Sequence, residues 1–476
     1  MATEITTRQL FGRTQIYTDV EVITPANVCE VLSKAAAKHT KNEGEIRYLY
    51  DYYRGQTPVL SKKKLVRPEI NHKISENRAF QITEFKNSAC FGEPVRYIST
   101  GEEPEKLEAI DELNGYMVEN HKEASDRDIG KWMHIAGVGY RMTLPNRRFR
   151  KDDPDSGAPF KCYTLDPRTN FIVRHSGIGN EPVMSVTIVR HDSGPDLHCI
   201  YTPEWYFEIE GLSDIKTAQA NPLGMIPLVE YPLNVARLGA FEIALPLLDA
   251  INELESNRLD DVQSYVNSFL ALVGASMDEE AYEKRNEYMM LCLPQDADAK
   301  YLSVAMQQGD LQTLKDDLYQ AVITVCGMPS QSTESTSTSD TGAATLYRGG
   351  WSQANARAQD TETEFKRSEF ETLRVVLRIL RDTVGTPLKA SEIEPKFTRR
   401  FVDDMLTKTN ALSQMLNSGI APEVAIYTCG LWNDPTDVYM KSKKYLKQWE
   451  IDDVSESRPD NETAGDEDTE DVREEP

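Results

Sequence analysis

The sequence predicts an α+β fold in which helix predominates, and three features carry that expectation. Apolar side chains recur at helical spacing through much of the chain, the longest such pattern running from about residue 343 to 384. Between residues 140 and 231 the period changes to short β-branched and aromatic runs divided by Gly, Pro and Asp. The 476 residues are 39% apolar, enough for a packed core, at a length corresponding to roughly two to four domains.

In chain order, residues 1–40 read as a polar arm with a short helix over Pro25–Lys38, since Pro25 suits a first helical turn. A second short helix is expected within residues 45–59 (EIRYLYDYYRGQTPV), stopped by Gly55 and Pro58. In residues 71–92, Ile74, Ile82, Phe85 and Ala89 are spaced for one helical face, which ends at Gly92 before Pro94. Helices are also expected at about 104–122 and 125–140, the latter closing on Gly137 and Gly139. The strand runs VGYRMTL, KCYTLD, NFIVRH, VMSVTIVRH and LHCIYTPEWYFEIEG follow, ending in NPLGMIPLVEYPLN at 221–234.

A helix is then expected over about 240–266, with Phe241, Leu245, Leu248, Ile251, Leu259, Val262 and Val266 on one face. Pro246 either sits in its first turn or kinks it. Residues 268–306 read as a compact insert of strand, helix, strand and strand, and residues 310–327 return to helix. The Ser/Thr-rich stretch MPSQSTESTSTSD at 328–340 precedes the long helix, where Phe370, Leu373, Leu377, Leu380 and Val384 repeat at spacings of three and four. From 343 to 382 that helix would be about 60 Å long, too long for a single compact core. Gly349 and Gly350 favour a bend near its start. Residues 386–448 hold a strand (IEPKFTR) and two or three short helices.

Charge and motifs exclude several classes of function. The net charge is −24, and the stretch from Glu450 to Pro476 carries thirteen acidic side chains against Arg458 and Arg473. With so few apolar residues that tail is expected to be disordered. An acidic body argues against wrapping contact with nucleic acid, which needs clustered Lys and Arg to displace counterions. No apolar stretch is long enough for a membrane span, and the N-terminus lacks a signal-peptide layout. The seven cysteines are odd in number, widely spaced and free of CxxC, so they read as thiols of a cytosolic protein. There is no GxxxxGK[ST], GxGxxG, HExxH or GxSxG. His191, Asp192, His198 and Cys199 flank a turn signal at Ser193–Asp196 and read as strand residues rather than metal ligands. Asp152, Asp153 and Asp155 hint at a calcium loop, but its twelfth position is Thr164 where a Glu is needed.

Several segments, in this order, resemble the portal proteins of tailed bacteriophages, of the siphovirus type. YDYYRGQTPV at 50–59 is similar to the family's opening motif, and Asn71, Asn77 and FGEPVRY at 91–97 match its Asn-rich helix leading to "GxPV". The most specific match is IPLVEYPLN at 226–234 followed by LLDAINELESNRLDDV at 247–262. SDTGAATLYRGGW at 339–351 resembles the motif that opens the long helix, and NALSQMLNSGIAPEVAI is like the family's C-terminal helices. Pro246 and the Ser/Thr-rich loop depart from many members.

The resemblance implies a portal fold with wing, stem, clip and crown, assembled as a cyclic ring of twelve at one capsid vertex. By that mapping, 1–239 form the wing, 240–267 and 310–327 two stem helices, and 268–309 the clip. Residues 328–341 form a tunnel loop, 342–385 the long wing helix, 386–448 the crown and 449–476 the acidic tail. The implied function is a channel for double-stranded DNA during packaging and ejection, a docking platform for terminase and then head–tail adaptors, and a nucleator of procapsid assembly. The implied partners are further copies of the chain, DNA, the terminase large subunit, a head–tail adaptor or connector, and major capsid and scaffolding proteins. Catalysis, cofactors, metals and membranes have no part in it. The place is the virion's portal vertex, with host cytoplasm during assembly.

Gln331, Ser332, Thr333, Glu334, Ser335, Thr336, Ser337 and Thr338 become candidate DNA-facing residues, where mostly neutral hydroxyls make weak, exchangeable contacts; without the resemblance they read as a linker. Arg258, Lys284, Arg285, Lys300 and Lys315 become candidate phosphate contacts, and each alone also fits a solvated charge or an intersubunit ion pair. Two rivals remain: a nucleic-acid-processing enzyme, for which no nucleophile or metal cluster is found, and a non-portal scaffold or adaptor of small oligomeric state.

Overall fold

The computed structural model describes residues 12–65, 68–100, 103–266, 269–273, 298–302, 308–329, 350–398, 405–432 and 435–445. The expected acidic tail, the Ser/Thr-rich loop from residue 330 onward, and the helix and middle strand of the 268–309 insert lie outside these residues. The chain divides into two compact units, residues 1–399 and 400–476. In the first, the helices are α1 (Val28–Tyr53), α2 (Arg78–Phe91), α3 (Pro104–Glu119), α4 (Lys122–Ala136), α5 (Leu245–Val266), α6 (Gln308–Cys326) and α7 (Trp351–Thr383). The second contains α8 (Met405–Asn417), α9 (Pro422–Cys429) and α10 (Pro435–Ser442).

The strand-rich stretch folds as two sheets. One is three-stranded, with β3 (Val138–Pro145) between β10 (Leu228–Pro232) and β4 (Phe160–Leu165). The other has six strands in the order β1, β5, β6, β7, β8, β9: Ile16–Thr18, Asn170–His175, Pro182–Val189, Leu197–Tyr201, Trp205–Glu210 and Asp214–Ala220. Its inner face packs on α1 through Val31, Leu32, Phe171, Met184, Ile200 and Phe207. β1 and β9 were not expected. β1 is three residues long and pairs in parallel with β5, a partner remote in sequence, so no local period marks it. β2 (Arg96–Ser99) pairs with β13 (Ile393–Lys396), and β11 (Phe269–Val273) pairs with β12 (Asp298–Leu302), both antiparallel. The expected IEPKFTR strand thus lies in the first unit, against β2, rather than among the C-terminal helices.

The two short helices expected at 25–38 and 45–59 are one continuous helix, α1. Nothing between them breaks it: there is no proline, and an interior Gly costs only about 1 kcal/mol. Its polar middle is buried and satisfied. His39 stacks on Phe171 and its Nε2 lies 3.0 Å from the Arg168 carbonyl. The Asn42 amide exchanges two hydrogen bonds with the Thr14 backbone, and Glu45 pairs with Arg13 at 3.2 Å. A buried polar stripe of this kind is invisible to hydrophobic periodicity. Conversely, α2 starts only at Arg78, where Asn77 caps it by accepting from the Phe80 N–H, so Ile74 belongs to an extended segment. Pro246 sits in the first turn of α5 and produces no kink. The long helix α7 begins at Trp351 after Gly350, whose φ of 75° is left-handed, and spans about 50 Å. The part expected before residue 350 lies outside the described residues.

One charged cluster ties this unit together. Glu369, on α7, is fully buried. Arg141 of β3 donates to it at 2.9 and 3.2 Å, Lys122 of α4 lies at 3.1 Å, and the Tyr231 hydroxyl of β10 donates at 2.6 Å. The Tyr97 hydroxyl of β2 also donates, and Arg141 and Lys122 both pair with Asp126. Burial alone would raise the Glu369 carboxyl, but the Lys122 and Arg141 charges and the two phenols outweigh it and hold it below the usual glutamate range.

Two predictions follow from this packing. Gly44 is exposed in α1 and a methyl there would meet nothing within 4 Å. Gly44→Ala should therefore raise stability by about 0.5–1 kcal/mol, read from denaturant midpoints. Glu369→Ala leaves two buried cations to share Asp126 alone and should cost about 3–5 kcal/mol. The depressed carboxyl contributes its stability above the pH where an unfolded glutamate ionises, and loses it as pH falls below that range. The acid limb of a stability–pH curve should accordingly flatten in Glu369→Ala.

Candidate functional site

α5 and α6 form a helix pair, with the ribbon strands β11 and β12 between them in the chain. α5 and α6 run antiparallel: Leu248 and Ile251 near the start of α5 share a core with Val322, Ile323 and Cys326 at the end of α6. At the other end Arg258 donates to Gln308 at 2.7 Å and to Gln312 at 3.0 Å, and Lys315 pairs with Glu255 at 3.0 Å. β11 and β12 pair in register from Phe269 opposite Leu302 to Val273 opposite Asp298.

The extended segment before α2 is laid along α5 as a strap. The His72 N–H donates to Asp260 at 2.7 Å, the Ile74 N–H to Ser256 at 2.9 Å, and the Glu76 N–H to Asn252 at 2.8 Å. The spacing matches. Two extended residues advance about 6.6 Å and four helical residues about 6 Å, so every second amide of the strap meets every fourth side chain of the helix. Asn252, Ser256 and Asp260 are all buried. Asp260 also accepts from Lys62 at 3.1 Å, Lys64 at 3.3 Å and the His72 ring at 2.9 Å. Burial pushes its carboxyl up, but these His72 and lysine donors prevail and hold it at about 2. Sequence reading missed the strap because a polar stripe at 252, 256 and 260 gives no apolar period.

Of the five candidate phosphate contacts, the structure places Arg258 and Lys315 facing each other across the helix pair. Each is engaged there, Arg258 with two glutamines and Glu255, and Lys315 with Glu255 and Glu76. Lys300 lies in β12 opposite Ala271. Lys284 and Arg285 fall outside the described residues, as do Gln331, Ser332, Thr333, Glu334, Ser335, Thr336, Ser337 and Thr338.

The outward faces of the pair are acidic. Glu253, Asn257 and Asp261 form an exposed stripe on α5, and Asp310, Asp316 and Asp317 are exposed on α6. Leu259 of the expected apolar face is itself 39% exposed, with Leu314 and Val325 of α6 also outward. Elsewhere, His198 is buried in β7 while His191 stands exposed at the β6–β7 turn, and the Asp153 carboxylate caps the Asp155 N–H at 3.0 Å. Among the described residues no His, Cys, Asp and Glu side chains cluster into a metal-binding group, and no helix is long and apolar enough to cross a membrane.

Asp260→Asn removes the charge that two lysines, the His72 ring and the His72 backbone N–H share. It should loosen the strap by about 1.5–3 kcal/mol, read as faster hydrogen exchange at the His72 and Ile74 amides, with the rest of the chain unchanged. The wild-type strap should loosen likewise as pH falls from the ordinary aspartate range toward about 2.

The sequence profile described as "Phage portal protein, SPP1 Gp6-like" matches residues 32–448. No curated protein sequence matches the chain. Two solved chains are similar to it at low identity. One, from "Neck of empty GTA particle computed with C6 symmetry", has a TM-score of 0.41 and 11% identity over 76% of this chain and 88% of that chain. The other, from "Neck of native GTA particle computed with C12 symmetry", has a TM-score of 0.41 and 12% identity over 75% of this chain and 90% of that chain. The profile runs from α1 through the strap, the helix pair and α7 to the last C-terminal helix, and the chain therefore belongs to the SPP1 Gp6-like family of phage portal proteins.

Proposed function

We propose that twelve copies of this chain form a ring at one capsid vertex, and that double-stranded DNA enters and leaves through its centre. Membership of the portal family carries this reading. The ring stands as the virion's portal vertex, assembles in host cytoplasm, nucleates the procapsid with capsid and scaffolding proteins, and receives first the terminase large subunit and later a head–tail adaptor. It moves no substrate chemically; the energy comes from the terminase.

The helix pair fits a stem. Asp310, Asp316 and Asp317, outward on α6, repel phosphate over roughly the 8 Å Debye length of physiological salt, which disfavours deep binding minima along a DNA path. Arg258 and Lys315 spend their charge inside the pair, so their part is to brace it, leaving Lys284, Arg285 and Lys300 of the insert as the proposed phosphate contacts. The clip is the insert on the β11–β12 ribbon, the crown comes from the C-terminal helices, and residues 331–338 form the tunnel loop. Outward Leu259, Leu314 and Val325, and a helix of about 50 Å, are surfaces that a neighbouring copy would cover.

Native mass spectrometry with negative-stain imaging tests the reading. The expected particle has about twelve times the 53.9 kDa chain mass and a central hole. A closed dimer or tetramer without a hole overturns it in favour of a small-oligomer adaptor.

A further inference from the structure

The strap leaves a pattern of charge on the helix pair that portal membership does not specify. Lys62 and Lys64 turn inward to Asp260, but Lys63 between them is exposed, and so is Lys73 next to His72. Neither Lys63 nor Lys73 pairs with a carboxylate among the described residues. On α5, Glu253 and Asp261 are exposed and likewise unpaired among the described residues. The positions of these four follow from helix geometry. At 100° per residue, Asn252, Ser256 and Asp260 face the strap. Glu253 and Asp261 point about 100° further round, away from α6, and Asn257 between them accepts from Lys62 at the edge of the strap at 2.7 Å. One side of α5 therefore carries the lysines of the strap, and the next carries a carboxylate stripe.

The two patches also stand at the same height along α5. Lys73 is fixed between the His72–Asp260 and Ile74–Ser256 contacts, and Lys63 lies between two residues that both reach Asp260. Glu253 and Asp261 bracket the same two turns of the helix. A rotation axis leaves height along itself unchanged. In a cyclic ring with α5 running along the axis, patches of equal height on different sides of one copy are brought face to face between neighbours, in the head-to-tail contact that closes a ring.

We propose that Lys63 and Lys73 of one copy meet Glu253 and Asp261 of the next, so that the strap is the charged half of the intersubunit contact at the stem. The inference rests on the ring reading above. It assigns the strap a role in assembly, with Asp260 as the positioning residue that presents the lysines. Exposed ion pairs are individually weak, whereas like charges set opposite one another are clearly unfavourable, so charge reversal gives the clearest readout.

The test uses the full chain, its ring fraction measured by native mass spectrometry at low and high salt, with thermal melts to confirm folding. Lys63→Glu with Lys73→Glu should lower the ring fraction about tenfold at low salt, and less at high salt. Glu253→Lys with Asp261→Lys should do the same. Combining all four should restore the ring, which a folding defect would not do. Reversed variants that assemble like wild type, or a fourfold variant that fails to recover, overturn the inference while the ring reading stands. A wild-type closed dimer overturns both.

Discussion

Glu369 carries its negative charge at zero exposure in the middle of the longest helix, and the groups that make this tolerable come from four other elements. An uncompensated carboxylate in that position would cost several kcal/mol. It persists because α4 supplies Lys122, β3 supplies Arg141, β2 supplies Tyr97 and β10 supplies Tyr231. The geometry runs both ways: unless all four elements dock at once, one or more buried charges is stranded. A purely apolar interface between α7 and the sheet would tolerate sliding by a helical turn, whereas Arg141, with Nη1 shared between both Glu369 oxygens and Nη2 on Asp126, does not. The cluster therefore sets the register of α7 on the β3 sheet.

The strap applies the same logic at the surface of α5. An extended chain has no internal partners for its amides, so it is costly to bury unless a neighbour accepts them. Asn252, Ser256 and Asp260 provide acceptors at a pitch that an extended segment can follow. The strap in turn relieves α5 of exposing three buried polar side chains. Lys62 and Lys64 then neutralise Asp260, so the contact carries little net charge inward and leaves its remaining lysines pointing out. Arg13 plays a comparable part at the root of the pair, bridging Glu45 of α1 and Glu242 just before α5.

Apolar period was a sound guide wherever a helix or strand buries an apolar face. The limits of α3, α5 and α6 and the runs of β3 to β8 could be read within a few residues from the sequence. Polar burial was not legible. α1 was split because His39, Asn42 and Glu45 look like solvent-facing residues and are not. The strap reads as helix in the sequence because Ile74 lies eight residues before Ile82, a spacing that helix and coil share. β1 and the β2–β13 pair are short and find partners far along the chain, which a local window cannot detect. In the candidate site the helix pair was legible from its pattern. That Arg258 and Lys315 face Glu255 and not solvent depended on how the helices face each other.

Charge within the first unit is sorted by depth rather than by sequence. Cations near α5 and α6 are drawn toward buried or half-buried carboxylates: Lys62 and Lys64 to Asp260, Lys315 to Glu255, Arg13 to Glu242. The carboxylates left over, at Glu253, Asp261, Asp310 and Asp317, therefore face outward. Much of the acidic exterior of α5 and α6 thus needs no excess of acid designed onto its surface, because it is what remains once structural ion pairs have engaged Lys62, Lys64, Lys315 and Arg13. The same ion pairs that brace the helices thus also set the sign of the surface the helices leave exposed.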